Sequence, residues 1–198
     1  MTTENDKQFK IEDRKIEGHK YQEDVAVDQK SAAEFLAALD TVLGIAGVKK
    51  VRWTQYTPYF NDGDPCEFSL NEFTVKLGKK FGVGKEEGEH EDGYLSTYDF
   101  QDHTEPYPTI HVPYLRHGET PSTEYLAAKE EYERQYKAYK DSATYVRNGH
   151  DTKAIFDALE ALNALSASFE VVAKANFGDH AEVTATLDGF NVDEYSHD

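Results

Sequence analysis

The stretch VRWTQYTPYFNDGDPCEFSL, residues 51–70, restricts the fold more than any other part of the chain. Val51, Trp53, Gln55 and Thr57 alternate with Arg52, Thr54 and Tyr56, which is the two-residue period of a strand with one covered face. Cys66, Phe68 and Leu70 alternate again, and the pattern shifts near Asn71, the mark of a bulge. Between the two runs, Asp62-Gly63 supplies a left-handed turn and Pro65 fixes re-entry into the sheet. These residues predict a β-hairpin over 49–58 and 66–77. A hairpin with one apolar face is not stable alone and needs helices or further strands to cover it.

That cover is legible on both sides of it. Ser31 and Glu34 form a capping box, and Phe35, Leu36, Leu39, Val42 and Leu43 recur at helical spacing, with Gly44 and Gly47 as stops. A first helix is therefore expected over about 31–46. Thr120-Pro121 opens a second, expected to run to about Val146 with Tyr125, Ala128, Tyr132, Tyr136 and Tyr139 on one stripe. After the turn RNGHD, Asp151 caps a third, whose apolar face runs through Ile155, Leu159, Leu162, Leu165, Phe169 and Val172 to about 175. So short a connection predicts that the second and third helices pack antiparallel. A short strand, TIHVPYL, is expected at 109–115, and the C-terminal run reads as a hairpin about Asp188-Gly189. The expected fold class is α+β: a small antiparallel sheet of two hairpins plus a short strand, packed with an antiparallel helical hairpin and one further helix. Residues 1–30 read as a flexible polar arm, and 31–198 as a single domain with a Gly-rich, then acidic, excursion at 78–108.

Charge decides which partners are plausible. With 38 acidic against 21 basic residues the formal net charge is −17, which repels nucleic acid and anionic lipid and favours a basic protein surface. From Glu86 to Glu105 every Asp, Glu, Lys or Arg is acidic, and no Lys or Arg follows Lys174. No apolar run reaches the roughly 18–20 residues of a membrane span, and the start of the chain lacks the apolar core of a signal peptide. The single cysteine, Cys66, excludes an internal disulfide, so a cytoplasmic setting is expected.

Several strings carry possible chemistry. LRHGET, residues 115–120, resembles the signature of the histidine phosphatase superfamily, in which His117 would attack phosphorus and Arg116 would neutralise the phosphate oxygens. That resemblance ends with the hexapeptide: no second His-Gly motif follows, Pro113 interrupts the presenting strand, and Gly118 leading to a Thr120 cap explains the residues structurally. Asn61, Asp62 and Asp64 would suit a hard cation, yet turn chemistry alone calls for the same residues. The eight histidines are scattered and define no metal centre. Gly78 to Lys85 departs from a phosphate-binding loop, since Glu86 stands where Ser or Thr would hold Mg²⁺. No cofactor is expected.

WTQYTPYFNDGDPC (53–66) and FGDHAEVTATLDGFNVDEY (177–195) resemble an uncharacterised protein family encoded mostly by tailed bacteriophages. The resemblance implies expression in a bacterial host cytoplasm and carries over no catalytic residue. Together with the charge, it directs the reading toward an acidic, non-enzymatic phage protein that binds a host or defence-system protein, in one version by presenting a DNA-like negative surface. Expected contacts are Tyr125, Tyr132, Tyr136 and Tyr139 on the second helix, with Glu86, Glu87, Glu89, Glu91 and Asp92 of the excursion. The alternatives are a phosphohydrolase using His117 and Arg116, and a sponge for a nucleotide signal using the Gly78–Lys85 loop and Arg116. Oligomeric state is not legible.

Overall fold

The computed structural model describes residues 10–11, 14–15, 27–59, 66–82, 93–116 and 118–196. Strands β1 (Lys10–Ile11) and β2 (Arg14–Lys15) form a two-residue antiparallel pair. Helix α1 spans Ala32–Leu43 and has the expected box: the Glu34 amide donates to Ser31 Oγ, and the Glu34 carboxylate accepts from the Ser31 amide at 2.9 Å. Its Phe35, Leu39, Val42 and Leu43 are buried, and it stops at Gly44.

Strand β3 (Val48–Tyr56) is the centre of a six-stranded sheet. Strands β4 (Ser69–Leu70), β5 (Thr74–Leu77) and β6 (Tyr94–Leu95) lie on one side of it, β4 and β5 each pairing with β3. Strands β11 (Ala181–Thr186) and β12 (Gly189–Glu194) lie on the other. The order β12-β11-β3-β5-β6 is antiparallel throughout, as two hairpins flanking a shared strand require. The expected alternation holds: Val51, Trp53 and Gln55 are buried on one face, directly opposite Ala185, Val183 and Ala181 of β11. The break near Asn71 separates β4 from β5, and the Asn71 amide N–H and side chain bond Thr54 O (2.9 Å) and Thr54 Oγ1 (2.7 Å). Gly47 has φ +118, and a Cβ there would lie 2.1 Å from Phe81 Cε2, so the close packing of Phe81 requires glycine.

The second half of the chain departs from the expected boundaries. Residues 106–116 form no strand; Pro106, Pro108 and Pro113 each remove a ladder donor. Strand β7 (Asp102–His103) pairs instead with β8 (Ala143–Thr144). Helix α2 spans Thr123–Asp141 and is capped by Ser122, not Thr120, with Ser122 Oγ accepting from the Tyr125 amide. It ends before Val146 because Ser142 Oγ turns back onto Tyr139 O (2.7 Å) and the chain enters β8. A tight hairpin of β9 (Val146–Arg147) and β10 (His150–Asp151) follows, with positive φ at Asn148 and Gly149. Asp151, the expected cap, instead ends β10 and accepts from the Lys153 amide at 2.8 Å; the N-cap position falls to Thr152, which makes no side-chain cap bond.

Helix α3 (Lys153–Asn163) ends twelve residues early relative to its apolar pattern, and α4 (Glu170–Phe177) resumes after a 3-10 turn at Ser166–Phe169. The break has a cause: Asn163 accepts from the Phe73 amide (2.7 Å) and donates to Phe73 O (3.3 Å), and Ser168 Oγ takes Leu165 O. Helices α1 and α3 pack on each other over the buried sheet face, joined there by Phe169 and Ala173. The layer arrangement is α+β. The neighbour of α3 is thus α1, while no side chain of α2 is fully buried. The last residues of the expected arm are also fixed. Gln29 bonds Ala167 O (2.8 Å) and the Val171 amide (3.0 Å), and the Lys30 amide reaches Ser168 O (2.8 Å).

Candidate functional site

Helix α2, 19 residues long, places no side chain in the hydrophobic core. On α2, Tyr132 and Tyr136 stack nearly parallel (centroids 5.9 Å, 8°), and Tyr139 continues the ladder (6.4 Å, 24°). Tyr125, one turn in from the start, is half-buried. The partner of the ladder is the segment after β7. His103 lies face to face with Tyr139 (3.7 Å, 15°), and Tyr107 meets Tyr136 and Tyr139 edge-on. The Tyr107 and Tyr132 hydroxyls are 3.1 Å apart, and that hydrogen bond raises the Tyr132 hydroxyl above its ordinary range. Part of this aromatic surface stays wet, with Tyr107 and Tyr136 exposed.

The electrostatics of α2 are internally balanced. Arg134 holds Glu131 in a bidentate pair, Lys137 holds Asp141, and Lys129 lies 3.7 Å from Glu133. Hydrogen bonds from Arg134 and then Gln135 pull the Glu131 carboxyl down to about 2. Further negative charge enters from the excursion: β7 brings Asp102 to the C-terminal end of α2, where the Glu105 amide donates to Ser142 Oγ. The structure therefore joins the tyrosine stripe to the described end of the excursion. Glu86, Glu87, Glu89, Glu91 and Asp92 lie outside the described residues, as do Asn61, Asp62, Asp64 and His117. Sequence reasoning did not place His103 and Tyr107 against α2; they are two of several aromatic rings in the excursion, with no spacing to single them out.

Arg116 is exposed in a local turn. Its amide donates to Glu119 Oε2 and its carbonyl accepts from the Glu119 amide, with Gly118 at φ +86. Glu119 here satisfies backbone groups, so the turn is made by Gly118 and Glu119, and the strand end and Thr120 cap expected of LRHGET are not formed. Among the described residues, no group of three or more His, Cys, Asp or Glu side chains is arranged to hold a metal ion. A shallow pocket of about 360 Å³ is lined by Glu72, Thr97, Tyr98, Glu160, Asn163 and Ser166. Its polar groups are largely engaged, Glu72 by Thr97 (3.0 Å) and Asn163 by Phe73.

A second constellation forms where the stretches beginning at Trp53 and at Phe177 meet. Gln55, fully buried, accepts from Trp53 Nε1 (3.0 Å) and donates to Ala173 O (3.2 Å) and Gly178 O (2.5 Å). Beyond it, Asp179 accepts from the Thr57 amide (2.8 Å) and hydroxyl (2.7 Å) and pairs with Lys174 (3.1 Å). Partial burial pushes the Asp179 carboxyl up, but Thr57 and Lys174 outweigh it and hold the group at about 2. His180 follows at φ +57, its ring stacked on Tyr59 (4.8 Å, 17°). The His180 and Asp179 side chains stand 3.7 Å apart, too far for a hydrogen-bonded dyad. This corner locks β3 to α4 and β11. Comparison with protein-family models, curated proteins and solved structures returns no match.

Proposed function

We propose that this is a non-enzymatic binding protein that docks on a basic surface of a partner protein, with the aromatic face of α2 as its main contact. The carrying observation is the helix itself: it spends a tyrosine ladder on no core packing, with Tyr107 and Tyr136 still exposed. Tyrosine buries a large ring at low entropic cost and offers a hydroxyl for pairing, which is why it is enriched at interface hot spots. The net charge of −17 supplies the sign of the partner and the means of steering it. The resemblance of residues 53–66 and 177–195 to phage-encoded proteins favours a bacterial host or defence protein in the cytoplasm as that partner. A DNA-like charge array is a finer form of the reading; it would draw on the carboxylates of 86–105 and of the chain after Lys174, since Glu131, Glu133 and Asp141 of α2 are paired within the helix.

The test is affinity capture from expressing bacteria with wild type and a Tyr132→Ala, Tyr136→Ala variant. A prey retained by wild type and lost from the variant is expected. Recovery of every prey in equal amount by both proteins would overturn the role of α2.

A further inference from the structure

The C-terminal hairpin has an open side. Strand β12 is an edge of the sheet, and among the described residues no strand pairs with its outer side. The Tyr195 amide donates to His180 O (2.8 Å), so by antiparallel alternation the amides of Gly189, Asn191 and Asp193 also face β11. Those of Phe190, Val192 and Glu194 face away. Six residues of regular ladder, unblocked by proline, form a template for another strand.

Two further features say what that strand would be. Phe190 and Val192 lie opposite Ala185 and Val183, on the covered face of the sheet, yet they are 41% and 45% exposed. The apolar layer thus continues past α4 to the open edge, where Phe190 packs on Phe177 (5.0 Å). On the other face, Asp193 stands directly opposite Glu182, a like-charge pair that weakens a hairpin. Arg52 approaches Glu182 at 3.8 Å, but among the described residues Asp193 is met by the Asn191 amide group (2.6 Å) and by no cation. A cationic side chain beside Asp193 would relieve the pair. The β12 edge of a second copy cannot supply it, since no Lys or Arg follows Lys174.

We propose that β12 is a strand-addition site for an extended segment of a basic partner, with apolar residues beside Phe190 and Val192 and Lys or Arg beside Asn191 and Asp193. It extends the binding reading above to a second surface, and rests on that reading only for the sign of the partner's charge. Main-chain hydrogen bonds would give affinity and the alternating side chains specificity.

The experiment uses the full chain, isotope-labelled, titrated with an acetylated, amidated peptide of alternating Val and Lys, and with its Val–Glu counterpart. The expected result is slowed amide exchange at Phe190, Val192 and Glu194, a Kd at least about tenfold tighter for the Val–Lys peptide, and weakening as salt rises. N-methylation of alternate peptide amides should abolish binding to unaltered protein. So should Val192→Pro, which removes an outward donor and leaves the β11 ladder intact. Binding indifferent to N-methylation, or shifts that leave those three amides unmoved, would overturn the proposal. So would amides already protected by self-association of the free protein. If the peptide fails while α2-dependent capture persists, only this inference falls; if capture fails while the peptide binds β12, only the role of α2 falls.

Discussion

At the scale of single residues, Gln55 shows how a polar side chain can be central to a core. Its position on the inward face of β3 follows from strand alternation, but its purpose does not: it satisfies Trp53 Nε1 and two carbonyls at the end of α4. Gln55→Leu keeps the volume and orphans all three groups, so it should cost about 2–4 kcal/mol, read from the denaturant midpoint. A loss under about half a kcal/mol would mean the network contributes no net stability. Asp179 makes a prediction in pH. Its carboxyl lies at about 2 when folded, against 3.8 for the free group, so its contribution is complete above 3.8 and fades as pH falls toward 2. Asp179→Asn should therefore flatten the acid limb of a stability–pH curve in that window. Parallel curves for the two proteins would show that the carboxylate is not held by Thr57 and Lys174. Neither role is legible from spacing, because each joins residues more than a hundred positions apart.

Among the elements, α1 and α2 are opposites. Four side chains of α1 are buried in the core and none of α2 are, although both begin with a serine cap. The double tyrosine variant of α2 should accordingly melt close to wild type, its cost confined to ring stacking of about 1 kcal/mol or less per pair. Phe35, by contrast, packs against Trp53, Phe73 and Phe169, a site where truncation to Ala typically costs about 3–5 kcal/mol. A variant of α2 that unfolds would therefore undermine the view of this helix as dispensable to the fold. Capping residues, strand alternation and Gly-containing turns made α1, β3 and the β11–β12 hairpin readable in advance. What misled was local pattern overruled by distant contact: Asn163 leaves an unbroken apolar stripe to bind Phe73, and the prolines of 106–113 prevent the strand that their neighbours favour.

Across the whole molecule, negative charge is unevenly placed. On α2 most of it is paired with neighbouring cations, whereas after Lys174 the sequence has acidic residues and two histidines but no Lys or Arg. Reversing Glu86, Glu87, Glu89 and Glu91 to Lys should slow association with a captured partner and flatten its salt dependence, measured by stopped-flow at several ionic strengths. Unchanged rates would remove the excursion from the encounter. The tyrosine stripe was visible in the sequence as a periodicity; its pairing with His103 and Tyr107 was not, since it depends on β7 meeting β8. A helix exempt from the core is also exempt from most of the purifying pressure that packing imposes. Over evolutionary time its letters should wander faster than those of α1 or β3. Tyrosines that persist there through such drift would be held in place by whatever they touch outside the chain.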